Sequence, residues 1–361
     1  MVVQRIASSV AARQVLHVTP VAPRGATGMV AEIYAQVERE FKIVLPPVLA
    51  HSPVPDLLAA MWMLMREPLV APGAVDRLTK EAVASAVALA NTCPFCVDMH
   101  STGLYDLSCE QDAEAIAGDR IGDVSDPGVR AAARWARWAH LDGAAGDPPF
   151  PARQRAELVG VLVSYHYVTR MVNVFQPGYL LPSRLGPQAR RRFKQGLSHV
   201  LAPVLRAEWP AGSSLRFLPA GMPLPSSAEW AEGHPDIAAA MARAYPVFEA
   251  AGERSVPPVV RQIVLGRLAR WQGEEAEHGE DWCTGLIADL PPASRAAARL
   301  ALLTAFASFR VDAGVIAEFR RHHPGDAALL DTTAWASFAA ARQVGSRQLR
   351  TLGDARPEHR S

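Results

Sequence analysis

Hydrophobic residues recur along this chain at the spacing of an α-helix. In residues 28–41 they occupy positions 30, 33, 34 and 37, which is one face of an amphipathic helix. A second helix is predicted for residues 56–66, behind Pro55, with three methionines that are expected to fill gaps in a core. Further helical patterns cover residues 109–117, 126–144 and 153–175. The pattern predicts an all-α fold without a sheet.

A helix pair is predicted around a short interruption. Within residues 81–90, Glu81 is followed by a run of Ala, Val, Ser and Leu, which is typical of a buried helix. Asn91 and Thr92 then interrupt the run, and Pro94 is best tolerated in the first turn of a new helix. Thr92 or Cys93 should therefore lie near the N-cap of that helix. If the chain reverses at Asn91, the two helices are antiparallel.

Four residues of this pair carry candidate chemistry: Glu81, Cys93, Cys96 and His100. Cys96 and His100 are four residues apart and share a helix face. Glu81 would be roughly 22 Å from Cys96 along one straight helix, but the reversal brings it to the level of His100. A helix N-terminus and a neighbouring imidazole both favour a thiolate. A carboxylate behind the imidazole fixes its tautomer, and the other cysteine can resolve an oxidised sulfur as a disulfide.

The full spacing, E-x11-C-x2-C-x3-H, resembles the signature of the alkylhydroperoxidase D-like (AhpD-like) proteins of the carboxymuconolactone decarboxylase superfamily. By this resemblance Cys96 attacks peroxide, Cys93 resolves it and exchanges with the reductant, and Glu81 and His100 relay the proton. The resemblance implies an oxidoreductase, a thiol peroxidase or disulfide reductase acting on a hydroperoxide or a partner's disulfide. It also implies a homo-oligomer, no tightly bound organic cofactor, and a lipoyl-like or thioredoxin-like dithiol reductant.

The helix predicted for residues 153–175 carries further candidates. In AhpD-like proteins the helix after the dithiol region often ends in aromatic, His and Arg residues near the active site. The matching residues here are His166, Tyr167, Arg170 and Asn173, and the first three are candidates for a substrate pocket. His166 and Arg170 share a helix face. The alternative is a core histidine with satisfied hydrogen bonds and an interface arginine.

An internal repeat is indicated by residues 292–314, which align without gaps on residues 78–100. The four chemical positions of the first copy face, in order, Arg295, Ala307, Arg310 and Gly314. We therefore predict two AhpD-like helical repeats, the second degenerate and serving packing and assembly. The predicted organisation is a flexible N-terminal arm (1–27), an active domain (28–205), a linker (206–230) and the degenerate repeat (231–361).

Composition excludes several classes of partner. The chain has 361 residues with 37 basic and 36 acidic side chains, so that no nucleic-acid partner is implied. No segment is predicted to cross a membrane. Four cysteines in a chain of this length do not form a disulfide scaffold, and Cys109 and Cys283 are predicted to be structural. Free cysteines beside a dithiol motif favour a reducing cytoplasm.

Other interpretations of the motif remain open. The cysteines and the histidine could simply be packed in a core. Glu81, Cys93, Cys96 and His100 could instead bind zinc in a non-enzymatic protein, because these ligand types suit that metal. A carboxymuconolactone decarboxylase-like lyase is a third alternative, although those relatives lack the dithiol.

Overall fold

The predicted all-α fold is confirmed. A computed structural model of the protein describes residues 11–181, 185–274 and 282–353, and within these ranges the regular elements are all helical. Short 3₁₀ turns connect several of the α-helices. The α-helices are α1 (Gly28–Phe41), α2 (Pro46–His51), α3 (Pro55–Leu69), α4 (Arg77–Ala90), α5 (Pro94–Leu107), α6 (Glu110–Ala117), α7 (Pro127–Trp138), α8 (Arg155–Phe175), α9 (Pro187–Leu205), α10 (Pro235–Ser255), α11 (Pro258–Arg270), α12 (Thr284–Ile287), α13 (Pro292–Ala307), α14 (Ala313–His322) and α15 (Asp326–Gly353).

Helix α8 lies at the centre of the fold, where it packs against α3, α4 and α15. By length and composition, the segment Ala152–Phe175 meets the criteria for a membrane span, with a mean hydropathy of 1.2 in its most apolar window. The sequence predicted a helix at residues 153–175 but no segment that crosses a membrane. Since 94% of that window is buried inside the protein, its apolar character is that expected of a central core helix.

The two halves of the chain share one hydrophobic core. Helix α10 packs against α3, and α15 packs against α8, so that each contact joins an early helix to a late one. The predicted linker contributes to the same core through Trp230, which is buried. Its Ser214 is also buried and donates a hydrogen bond through its hydroxyl to the carboxylate of Glu67 in α3. Loss of either half would therefore expose apolar surface on the other.

The proposed repeat remains a prediction. Helix α13 ends at Ala307, and a 3₁₀ turn of three residues precedes α14. In the first half, only Asn91, Thr92 and the N-cap residue Cys93 separate α4 from α5. The order of a long helix, a reversal and a second helix occurs in both halves, but the reversals differ in conformation.

Two predicted segments differ in the structure. The pattern of residues 126–144 predicts a longer helix than α7, which ends at Trp138, and Gly143 beyond it has a left-handed φ of 72°. In the predicted arm, residues 1–10 lie outside the described residues. The backbone N–H of Leu16 donates to the carbonyl of Phe175 at 2.8 Å, and that of Thr19 donates to the carboxylate of Asp326. These contacts hold this part of the segment against the body of the protein.

The close approach of α10 to α15 gives a stability prediction. A Cβ atom at Gly252 would overlap the indole ring of Trp335. Gly252→Ala should therefore destabilise the fold by about 1–3 kcal/mol through overpacking. A Cβ atom at Gly266, in α11, would meet no atom within 4 Å. Gly266→Ala should stabilise the fold by about 0.5–1 kcal/mol. Midpoints of urea unfolding should move in opposite directions, and equal shifts would contradict the close approach.

Candidate active site

Helices α4 and α5 bring the four motif residues together, as the spacing predicts. The carboxylate of Asp76 caps α4 by accepting a hydrogen bond from the N–H of Thr79. The buried Lys80 forms an ion pair with Glu157 at the start of α8, with 2.6 Å between Nζ and Oε2. Lys80 also donates to the carbonyl of Ala71. These contacts fix the first turn of α4, from which Glu81 extends.

The reversal between the helices carries local strain. Thr92 has a left-handed φ of 50°, a conformation that β-branched residues rarely adopt. Such a residue costs on the order of 1–3 kcal/mol and persists where its surroundings hold it in place. The N–H of Cys93 donates to the carbonyl of Ala88 at 2.9 Å. Cys93 is thereby held at the N-cap of α5, within the predicted interval.

The two sulfur atoms face each other inside the protein. Cys93 and Cys96 are 1% and 4% exposed, and 2.6 Å separates their Sγ atoms. Burial raises the pKa of the Cys96 thiol well above its ordinary value, and the adjacent Cys93 sulfur raises it further. The sequence predicts that one of the two motif thiols is more acidic than usual, and the pKa of Cys96 shifts in the opposite direction. A thiol whose pKa is raised needs a base before it can attack as a thiolate, so Cys96 needs a base.

Glu81 and His100 form the pair from which that base can come. His100 Nδ1 lies 2.6 Å from Oε2 of Glu81, and Arg77 Nε donates to the other carboxylate oxygen at 2.7 Å. Burial tends to raise the pKa of Glu81, but Arg77 and His100 more than reverse this effect and lower it to about 2. The hydrogen bond to the ionised carboxylate fixes an imidazole proton on Nδ1. His100 Nε2 is then the nitrogen that can accept a proton.

An apolar cavity of about 140 Å³ adjoins this pair and Cys96. The ring of Tyr165, from α8, packs edge-on against the imidazole of His100 at 4.6 Å between centroids. The rest of the wall comes mainly from apolar side chains, which include Phe41, Leu45, Met65, Phe95, Met99, Val168, Val172, Leu197 and Leu201. A small molecule in this cavity would meet the Cys96 thiol beside an imidazole and few other polar groups.

Cys93 lines a different cavity. This cleft has a volume of about 580 Å³, is bordered by α5, α6 and α9, and has several charged side chains in its lining. Cys96 does not line it, and Cys93 does not line the apolar cavity. Each sulfur of the dithiol is therefore associated with its own cavity.

The predicted pocket residues of α8 lie outside the apolar cavity. His166 Nδ1 lies 3.0 Å from Asn91 Nδ2 and 3.0 Å from Arg170 Nη1, and Arg170 Nε donates to the carbonyl of Ala305. Tyr167 lies with its hydroxyl 2.7 Å from Nε2 of His51. His166 is thus hydrogen-bonded at Nδ1, whereas its buried Nε2 has no hydrogen-bond partner among the described residues. The pocket role of these three residues stays a prediction.

Asn173 joins the two halves directly. Its side-chain amide donates to the carbonyl of Asn91, in the motif reversal, and to the hydroxyl of Ser308, each at 3.0 Å. The face of α8 that carries Asn173 thus connects the reversal before Cys93 to the second half.

A metal site made by the motif residues is not supported by their geometry. Within residues 11–181, 185–274 and 282–353, no group of three or more His, Cys, Asp or Glu side chains converges as a metal ion requires. Glu81 and His100 bond to each other, and Arg77 occupies the second carboxylate oxygen.

Sequence reasoning missed two members of the site, Arg77 and Tyr165. Arg77 was identifiable, because it precedes Glu81 by four residues and such pairs meet on a helix. Tyr165 shares a helical stripe with Val168 and Val172, which also line the cavity. The sequence shows that these residues share one face of the helix. The part of the protein toward which that face points depends on packing between helices.

Comparison with known proteins agrees with this architecture. Residues 56–138, which contain α4, α5 and all four motif residues, match the carboxymuconolactone decarboxylase family. The chain is also 37% identical over 332 residues to the alkyl hydroperoxide reductase Rv2159c of Mycobacterium tuberculosis, which covers 91% of this chain and 94% of that protein. The chain therefore belongs to the carboxymuconolactone decarboxylase family and is an AhpD-like protein.

Proposed function

We propose that this protein is a thiol-dependent peroxidase that reduces hydroperoxides with electrons from a dithiol donor. The observation that carries the proposal is the arrangement of Cys93, Cys96, His100 and Glu81. One thiol of a buried dithiol shares the apolar cavity with an imidazole whose tautomer a carboxylate fixes. The similarity to a protein named alkyl hydroperoxide reductase supports the same chemistry.

The first half-reaction uses Cys96. His100 Nε2 takes the thiol proton, and the resulting thiolate attacks the terminal oxygen of the hydroperoxide. An S–O bond forms and the O–O bond breaks, so that Cys96 becomes a sulfenic acid. The departing alkoxide takes the proton from His100 and leaves as an alcohol. Glu81 stabilises the imidazolium that exists between these two transfers.

The second step uses Cys93. Its sulfur attacks the Cys96 sulfur, an S–S bond forms and the S–O bond breaks. Hydroxide leaves and takes up the proton that the Cys93 thiol releases, giving water. The net change is reduction of one hydroperoxide to alcohol and water, with oxidation of two thiols to one disulfide. Since the two sulfurs already face each other inside the protein, this step needs little movement.

The apolar cavity supports a hydroperoxide with a small hydrocarbon group. Its walls provide few hydrogen-bond partners apart from the groups around His100. An alkyl hydroperoxide would gain burial of its hydrocarbon part there, whereas hydrogen peroxide would not. The dithiol favours this redox chemistry over the lyase alternative. Reduction of a partner's disulfide by the same cysteines is the related alternative.

Oxidation of the motif peptide tests the proposal. One equivalent of an alkyl hydroperoxide should convert the wild-type protein to a form in which the peptide containing both cysteines has lost two hydrogens. In Cys93→Ser, Cys96 should remain a sulfenic acid that a dimedone reagent traps. Mass spectrometry distinguishes these products, and dithiothreitol should restore the wild-type protein. Sulfinic acid at Cys96 with Cys93 still reduced would contradict the resolving role.

We also propose that the protein works as a homo-oligomer in the cytoplasm. The family resemblance supports the first proposal. The reducing conditions that keep a dithiol in use support the second. Light scattering on the purified protein tests the oligomeric state.

A further inference from the structure

The two cavities at the dithiol differ in chemical character. The cavity at Cys96 is almost entirely apolar, whereas charged side chains surround the cleft at Cys93. Helix α5 separates them, with Cys93 at its N-cap and Cys96 in its first turn. A molecule can therefore approach one sulfur without occupying the space in front of the other.

Positive charge predominates in the Cys93 cleft. Its charged lining residues are Asp98, Glu114, Arg120, Arg190, Arg191 and Lys194. Four of these are basic and two are acidic.

Two of the basic residues are held by the acidic ones. Lys194 Nζ lies 3.2 Å from Asp98 and 3.6 Å from Glu114, and its side chain is buried. Arg190 lies 3.5 Å from Asp98. The acidic side chains of the cleft are thus largely occupied by these two partners.

Arg120 and Arg191 supply the accessible positive charge. Their side chains are 59% and 56% exposed. Their ion pairs are long, 3.5 Å for Arg120 and 3.9–4.0 Å for Arg191, and Arg120 also donates one hydrogen bond to the carbonyl of Glu114 at 3.3 Å. Long exposed pairs of this kind contribute little and are easily exchanged. Both guanidinium groups are therefore available to an incoming anion.

We propose that the Cys93 cleft is the entrance for the reductant, and that it selects a slender dithiol that carries a negative charge. Cys93 is nearly inaccessible, so the donor sulfurs must be carried on a group narrow enough to enter the cleft. The hydroperoxide enters separately, through the apolar cavity at Cys96. The assignment rests on the proposed peroxidase function and adds the route and charge of its reductant.

Reduction of the protein at this entrance takes two successive thiol–disulfide exchanges. A donor thiolate attacks the Cys93 sulfur of the oxidised protein, so that a mixed disulfide forms and Cys96 leaves as a thiolate. His100 can supply the proton that Cys96 takes up. The second donor thiolate attacks the donor sulfur of the mixed disulfide and releases Cys93. The donor ends as a disulfide, and two electrons pass to the protein.

Alkylation of single-thiol variants tests the charge selection without any peroxide. Iodoacetate and iodoacetamide have the same leaving group and differ in charge. We compare the ratio of the iodoacetate rate to the iodoacetamide rate at each cysteine. The ratio at Cys93, measured in Cys96→Ser, should exceed the ratio at Cys96, measured in Cys93→Ser. We expect a difference of about threefold to tenfold at low salt, since steering by a charged cleft raises association rates by 10–10³. Peptide mass spectrometry assigns each site.

Charge reversal tests whether Arg120 and Arg191 cause the preference for iodoacetate at Cys93. Adding Arg120→Glu and Arg191→Glu to Cys96→Ser should remove the preference for iodoacetate at Cys93. Arg321→Glu, on an exposed residue of α14 outside the cleft, is the matched control and should preserve the preference. An unchanged ratio in the double reversal would overturn the proposal. A change of oligomeric state on reversal would also overturn it, because the cleft would then be an interface between copies.

Hydroperoxide turnover with two dithiol donors tests the charge selection separately from the peroxidase function on which it rests. Dihydrolipoate and dihydrolipoamide carry the same dithiol and differ by one carboxylate. With an alkyl hydroperoxide, the wild-type protein should favour dihydrolipoate in kcat/KM, and Arg120→Glu with Arg191→Glu should abolish that preference. Equal use of both donors by the wild type would overturn the charge selection and leave the peroxidase intact. Failure of both donors and of dithiothreitol would overturn the peroxidase itself.

Discussion

Glu81→Gln is expected to lower hydroperoxide turnover by about 10²–10⁴-fold, the usual contribution of a general acid–base group. The substitution keeps the size of the side chain and removes the charge that faces His100 and Arg77. A neutral amide cannot stabilise the imidazolium that forms when His100 takes the Cys96 proton. Since that thiol is held protonated by burial, the reaction depends on this transfer. Steady-state rates with dithiothreitol as the donor measure the loss.

Stability must be followed in the same samples. The folded pKa of Glu81 is about 2, below its ordinary value. Its ionised form therefore stabilises the fold above the unfolded pKa, and this contribution disappears as the pH falls through the folded one. By this linkage Glu81→Gln should cost on the order of 2–3 kcal/mol near neutral pH. Arg295→Ala, on an exposed residue of the second half, should leave turnover nearly intact. Equal turnover in both variants would remove Glu81 from the mechanism.

A steep loss of stability between pH 6.5 and pH 4.5 is the second large effect that we expect. Burial lowers the pKa of His51 to about 4, and burial with the charges of Arg170, Arg137 and Arg347 lowers that of His140 to about 3.

His166 behaves in the same way. Burial first, then Arg170, His140 and Arg347, hold its pKa well below the ordinary value of about 6.5. These three histidines stay neutral in the folded protein while the unfolded chain takes up protons below pH 6.5. Stability is therefore fully present above that pH and is lost as the pH falls toward the folded values. Three protons correspond to about 4 kcal/mol per pH unit. Two pH units would then remove a large share of a typical stability of about 5–15 kcal/mol.

Urea unfolding at a series of pH values measures this slope. His51→Gln removes one titrating group and should lower the slope by about 1.4 kcal/mol per pH unit. His199→Gln changes an exposed histidine of α9 and should leave the slope unchanged. A stability that stays flat from pH 7 to pH 5 would mean that the buried histidines take up protons without unfolding.

The sequence predicted the site well where the determinants are local. The reversal at Asn91, the N-cap position of Cys93 and the meeting of Glu81 with His100 follow from spacing and helix geometry. The pKa of Cys96 could not be predicted, because it depends on burial by helices distant in sequence. Proximity to a helix N-terminus predicts the direction of a thiol's pKa shift only when the thiol is near solvent.

The pocket residues of α8 show a different limit. Each step along a helix turns the side chain by about 100°, so that neighbours such as Tyr165 and His166 point to different surroundings. The family resemblance indicated a functional helix at residues 153–175, but the rotation of this helix about its own axis is set by packing on α3, α4 and α15. Tyr165 consequently faces the cavity, while Arg170 contacts the second half. No local pattern in the sequence predicts the rotation of α8 about its own axis.

The packing of α8 against α15 has a consequence for how the site depends on protein concentration. Many proteins complete a catalytic centre by bringing two separate chains together, and their activity then falls on dilution. Here the helix that supplies Tyr165 is supported from behind by a later part of the same chain, and Asn173 ties the motif reversal to Ser308. That support is covalently tethered, so it persists at any dilution.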